Sequence, residues 1–311
     1  MNIIPKILLG IAVFSIFIIF GFQYKYSGNE FSELATTDPQ AKTSDILGTV
    51  REEEESRFTL PVLFFEEHSF YQSLNQLSQI EDSRKIYGGV IPHHLLASPL
   101  IADFFHRMKD QPVEKIILLS PNHYEVGSTP VLTSIADWET KLGVVRSDTI
   151  LIEKSLEYSF ISVNDTIMQK EHGVGGILPF IKHFLPEVQV TPFIFRKNLS
   201  NDERKAFTDF LKKEIDENTV VVASIDFSHY LTVAESLEKD EVTKQAFLTN
   251  NFELISTLNS DYLDSPQSLM IILEVMNSLG KKVEILNHTN ADDISGKYGK
   301  PTTSYFELAF Y

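Results

Sequence analysis

Three short apolar runs, at 87–92 (YGGVIP), 115–120 (KIILLS) and 219–225 (TVVVASI), each lead within a few residues into histidine. Such runs are too short for core helices, and with breakers at their flanks they read as strands buried on both faces. Between the first two, residues 98–108 (SPLIADFFHRM) open on Ser then Pro and continue amphipathically, the start signature of a helix. The alternation goes on: 188–195 reads as a strand, 201–217 as a charged amphipathic helix, 235–249 and 266–279 as helices, and 282–287 and 304–311 as closing strands. Buried strands that alternate with helices need a helical layer on each face. The expected fold is therefore α/β, a three-layer α/β/α sandwich around a mixed sheet.

Of the 311 residues, 43% are apolar and 11% aromatic, enough for a sizeable core, which excludes a disordered chain. Lys and Arg total 27 against 43 Asp and Glu, and the formal charge of −16 repels phosphate backbones, so nucleic acid is not an expected partner. There is no cysteine, which rules out disulfides, thiolate ligands and cysteine nucleophiles. Residues 7–24 carry no charge, and as a helix these 18 residues would cover roughly 27 Å. With Tyr24, Lys25 and Tyr26 at the flank, segment 1–26 is expected to be a retained membrane anchor in preference to a cleaved signal peptide. A short basic N-terminus favours the inside, giving a single-pass membrane protein with an extracytoplasmic domain as the expected localisation. Residues 27–57 read as a flexible polar stalk and 58–311 as the globular domain.

Ligands of open α/β sheets gather at the carboxyl ends of strands, and His93, His123 and His229 fall there. Adjacent parallel strands would bring all three into one pocket. Their imidazoles suit a single iron, zinc, copper or nickel ion, with Asp226 as an oxygen ligand or as a hydrogen-bond partner of a ligand. A lone loop histidine ordinarily caps a strand or faces solvent, but three at equivalent positions point to a site. His172 lies in the glycine-rich stretch Glu171-His172-Gly173-Val174-Gly175-Gly176, and is open between an acid, a base or a substrate contact and an exposed residue at a helix entry. His94 should point away from its neighbour His93 on an extended segment. His68, His106 and His183 read as helix-surface residues.

The blocks GGVIPHHLLAS, LLSPNHY, DWETKLGVVRSD, EHGVGGILPF and SIDFSHY occur in that order, followed by NHTNADDISGKYG and a terminal aromatic strand. Together they cover about 87–311 and resemble the blocks of the Memo-like family, whose bacterial members are called AmmeMemoRadiSam system protein B. The resemblance implies the fold of the catalytic subunit of class III extradiol dioxygenases, a pocket at strand ends that binds iron or copper, and a redox activity. It carries metal ligands onto His93 and His123, and a third position, Cys in animal relatives, onto Ser228 beside His229. A neutral hydroxyl is a poor ligand, so either His229 takes the third place or the metal is held more weakly. His172 matches the histidine of an EHS-type block in which Gly173 stands for the usual Ser and Gly175 for an expected Glu, while Gln169 replaces an upstream acid. The expected function is a membrane-tethered, iron-dependent oxidoreductase of a small molecule, with copper or zinc as alternative ions. His93, His123 and His229 would hold the metal, and His172 and Asp226 would be catalytic. The alternative is a non-catalytic ligand- or metal-binding module presented to a protein partner.

Overall fold

Strands buried on both faces must pair along both edges, and the buried runs do so in a twelve-stranded mixed sheet. The computed structural model describes residues 57–79, 82–299 and 301–311. In chain order the strands are β1 (Thr59–Pro61), β2 (Gly88–Ile91), β3 (Lys115–Pro121), β4 (Val131–Thr133), β5 (Asp137–Thr140), β6 (Gly143–Ser147), β7 (Ile161–Val163), β8 (Gln189–Phe195), β9 (Thr219–Ser224), β10 (His229–Leu231), β11 (Val283–Asn290) and β12 (Thr302–Phe310). Their main order is β1-β5-β6-β8-β3-β9-β2-β12-β10, with β11 paired to β12, and β4 paired to β7 and β8.

The three runs expected as buried strands and the strand read at 188–195 form the centre, where β8, β3, β9 and β2 all run parallel. Side chains alternate between the faces. Ile117, Leu119, Val221 and Ala223 pack in one core with Phe207 and Phe210 of the helix Asn201–Glu214 and Ile271 of the helix Pro266–Ser278. Ile116, Leu118, Val220 and Val222 pack in a second core with Ile101, Phe104 and Phe105 of the helix Ser98–Met108 and Ile181 of the helix Leu178–Phe184. Helices on both faces of a mixed sheet are the expected α/β/α sandwich. Strands β1, β4, β5, β6, β7 and β10 lie outside the sequence expectation, since each has only three to five residues, too few to show a period.

Parallel strands place their carboxyl ends on one edge. There β2 runs into Pro92 and His93, β3 into Asn122 and His123, β8 into Arg196 and Lys197, and β9 into Ile225 and Asp226.

The membrane localisation expected from the sequence is corrected. Among the described residues, no helix is long and apolar enough to cross a membrane. Segment 1–26, on which the anchor reading rested, lies outside the described residues, as does the stretch 27–56.

Candidate metal centre

His93 is buried where the chain leaves β2. Its backbone N–H donates to Asp226 Oδ1 at 3.0 Å. The Ser224 hydroxyl donates to the Gly173 carbonyl at 2.7 Å, so its oxygen accepts from His93 Nδ1–H at 3.1 Å. That arrangement leaves Nε2 facing the cavity, 3.1 Å from Asp264 Oδ2 and 3.6 Å from Asp226 Oδ2.

His123 is held in the same way by another partner. Nδ1–H donates to Glu171 Oε1 at 2.6 Å and the backbone N–H to Glu171 Oε2 at 3.0 Å, leaving Nε2 3.7 Å from Asp264 Oδ2. Glu171 also caps the short helix His172–Gly175, accepting from the N–H of Gly173 at 3.1 Å. The cap starts the helix beside the end of β3 and sets the His172 ring 3.9 Å from that of His123, centroid to centroid, and 5.0 Å from that of His93.

Two groups of side chains among the described residues bring ligand atoms within 4.8 Å of one another: His93, His123 and His172, and His93, Asp226 and Asp264. They line a cavity of about 580 Å³ whose wall also includes His94, Lys197, His229 and Tyr230. Charge is tightly compensated there. Burial works against a charged His93 ring, but the carboxylates of Asp226 and Asp264 outweigh it and raise its pKa. For His123 the same opposition is overcome by Asp264 and Glu171, which raise it to about 10. Burial, then the neighbouring His123 and His93 charges, push His172 down to about 4, so that ring is neutral with a lone pair available. Asp264 and Glu171 both lie below the ordinary carboxylate range, because the facing imidazoles outweigh burial.

The residues fit a metal ion. Two imidazoles have their Nδ1–H committed to acceptors, which fixes the tautomer and directs Nε2 inward, and the buried Asp264 Oδ1 has no hydrogen-bond partner.

Of the residues singled out in the sequence, His93, His123, His172 and Asp226 are brought together. His229 is not in either group, although it lines the cavity. The reason is the path of the chain after β9: Phe227 bridges to Leu263, and by His229 the chain has entered β10 and pairs with Thr303. Ser228 is fully buried, its hydroxyl bonded to those of Ser236 at 2.5 Å and Ser304 at 2.8 Å. The His94 ring hydrogen-bonds the Tyr305 hydroxyl at 2.6 Å and belongs to neither group. Gln169 bonds outward, to the carbonyl of Pro61 at 3.3 Å. The two glycine departures have steric partners. A Cβ on Gly173 would lie 2.1 Å from Ser120 Oγ, and one on Gly175 would lie 2.9 Å from the ring of Phe64, which packs against His172. Glu171 and Asp264 were missed as site residues; the EHG block contained Glu171, whereas nothing local marks Asp264.

Fold and site together define an α/β sandwich with a histidine and carboxylate cluster able to bind metal at its strand ends. The family model for Memo-like protein matches residues 66–306, and the chain belongs to that family. MEMO1 family proteins of Pyrobaculum arsenaticum and Pyrobaculum aerophilum are 28% and 27% identical over 239 and 236 residues, covering 73% and 72% of this chain and 84% and 83% of their own length. One from Saccharolobus islandicus is 27% identical over 219 residues, 67% of this chain and 77% of its own. The solved structure of the uncharacterized protein JW3007 from Escherichia coli K12 superposes with a TM-score of 0.50 at 12% identity, covering 72% of this chain and 99% of that one, a likeness of fold.

Proposed function

We propose that this chain is a metal-dependent oxidoreductase that binds one divalent ion on His93, His123 and His172 and acts on a small polar molecule in the adjoining cavity. The observation that carries this reading is the approach of ligand atoms of three imidazoles to within 4.8 Å of one another in a 580 Å³ cavity at the carboxyl ends of the parallel central strands. When bound, the ion would supply a Lewis-acid centre with open positions for an oxidant such as dioxygen.

The chain's own side chains do the holding. Ser224 and Glu171 fix the rings of His93 and His123, while His172 offers a neutral nitrogen and becomes a ligand instead of the acid or base first expected. Lys197, at the end of β8, lines the same cavity and can meet an ionised substrate group.

A direct test starts from the purified full-length protein, stripped with chelator and titrated anaerobically with Fe(II), then mixed with aerated catechol in an oxygen electrode. Expected are one ion per chain and oxygen uptake that requires it. His93→Ala and His123→Ala should each lose most of the bound ion, and His94→Ala should keep it. A wild-type chain that takes up no ion sinks the reading; stoichiometric metal without oxygen uptake from any small substrate points to the non-catalytic binding module.

A further inference from the structure

The loop that carries Asp264 is clamped to the chain leaving β9. Phe227 and Leu263 form an antiparallel bridge, the N–H of Asp264 donates to the Asp226 carbonyl at 3.1 Å, and the N–H of Asp226 donates back to Asp264 Oδ2 at 3.2 Å. The clamp turns the carboxylate into the cavity with its side chain only 10% exposed. Oδ2 then faces both inward imidazole nitrogens, at 3.1 Å from His93 Nε2 and 3.7 Å from His123 Nε2. Oδ1 is buried and accepts no hydrogen bond.

A buried carboxylate oxygen without a donor is costly, and a cation beside it removes the cost. The two aspartates are also differently engaged. Asp226 Oδ1 accepts from the backbone N–H of His93 at 3.0 Å and lies 3.4 Å from that of His94, so it holds the turn after β2. Asp264 makes no bond of that kind outside the clamp.

We propose that Asp264 is the anionic ligand of the metal, giving a centre of three imidazoles and one carboxylate in which Asp226 is a positioning residue. The inference rests on the metal-binding reading above. A hard oxygen donor beside borderline nitrogens suits divalent iron, manganese or zinc better than monovalent copper, which prefers sulfur. The carboxylate reaches the site from a loop remote in sequence from every histidine block, and so supplies the negative charge that the Ser228 hydroxyl cannot.

Cobalt(II), whose visible absorption reports its ligands, is the probe. It is titrated into metal-free full-length wild type, Asp264→Asn, Asp264→Glu and Asp226→Asn, with far-UV circular dichroism recorded for each. Expected are one equivalent bound by wild type, affinity reduced by more than about tenfold with a changed band in Asp264→Asn, and binding with a displaced band in Asp264→Glu. Asp226→Asn should keep the wild-type band. Wild-type affinity and an unchanged band in Asp264→Asn would make Asp264 only the ion-pair partner of His93 and overturn the proposal. Should Asp264→Asn fail to fold, Asp264→Glu decides, because an unmoved band and affinity there also overturn it. Wild type that binds no cobalt defeats the metal-binding reading itself, a separate outcome.

Discussion

Glu171 is fully buried and accepts three hydrogen bonds at once, from Nδ1–H and N–H of His123 and from the N–H of Gly173. One carboxylate thus fixes the His123 ring and starts the helix that carries His172. Glu171→Gln keeps the shape but replaces one acceptor oxygen with a donor, and is expected to weaken metal binding by about 10–100-fold in competition with a coloured chelator. Protons compete for the same nitrogens. His123 sits at about 10 and the His93 pKa is raised, so at neutral pH the metal-free centre holds at least the His123 proton, which a divalent ion must displace. Affinity should therefore rise with pH between 6 and 8.5, with at least about one proton released per ion, measured by calorimetry in buffers of different ionisation enthalpy. Release of no protons would contradict these assignments. Away from the centre, burial and then the nearby Asp103 carboxyl hold Glu307 on β12 well above the ordinary 4.5. A raised folded value gives stability that is complete below the ordinary pKa and is lost as pH rises through the folded one. Glu307→Gln removes that loss, so it should melt above wild type at pH 8 and converge with it near pH 5. A difference independent of pH would refute the assignment.

At the level of elements, the contact between β2 and the helix Ser98–Met108 sets the position of His93, and Gly89 makes it close. A Cβ there would lie 2.1 Å from the Phe104 ring and 2.7 Å from the Leu308 carbonyl. Gly89→Ala should destabilise by about 3 kcal/mol in urea unfolding, with partial recovery on adding Phe104→Leu. No recovery would put the strain on the backbone of β12 instead of the ring. The elements that were legible in the sequence are the long or fully buried ones. The helix at 98–108 was read with its observed bounds because Ser98 and Pro99 mark its start, and β3 and β9 to within one residue because a β-branched run between breakers has few alternatives. The helix read to 217 ends at Glu214, where a charged tail continued the pattern past the helix's last buried residue, Leu211. Strands β4 to β7 escaped because they are short: β4 pairs with β7 and β8, distant in sequence, and β5 and β6 form a hairpin too brief to show a period.

For the whole molecule, the geometry of the candidate site was legible where it followed strand ends and illegible where tertiary contact made it. His93 and His123 follow β2 and β3 directly, so topology alone brings them together. His229 satisfied the same sequence criterion but lies five residues beyond β9, far enough for the chain to turn into β10. Asp264 enters only through the bridge between Phe227 and Leu263, which no local pattern announces. The centre joins segments packed against both cores, and the two cores share β3, β9 and β2. Binding an ion there therefore couples to the global transition and not to a single loop. A ligand present at 100 times its Kd, and bound by the folded state alone, adds about 2.7 kcal/mol, which for a domain of this size is a Tm increase of roughly 5 °C. Thermal melts followed by near- and far-UV circular dichroism, with and without excess zinc, should move together by that amount in wild type. In the His93→Ala, His123→Ala double variant the shift should vanish. A shift of equal size in that variant would place the ion elsewhere on the chain, and a near-UV melt that moves without the far-UV one would uncouple the centre from the shared strands.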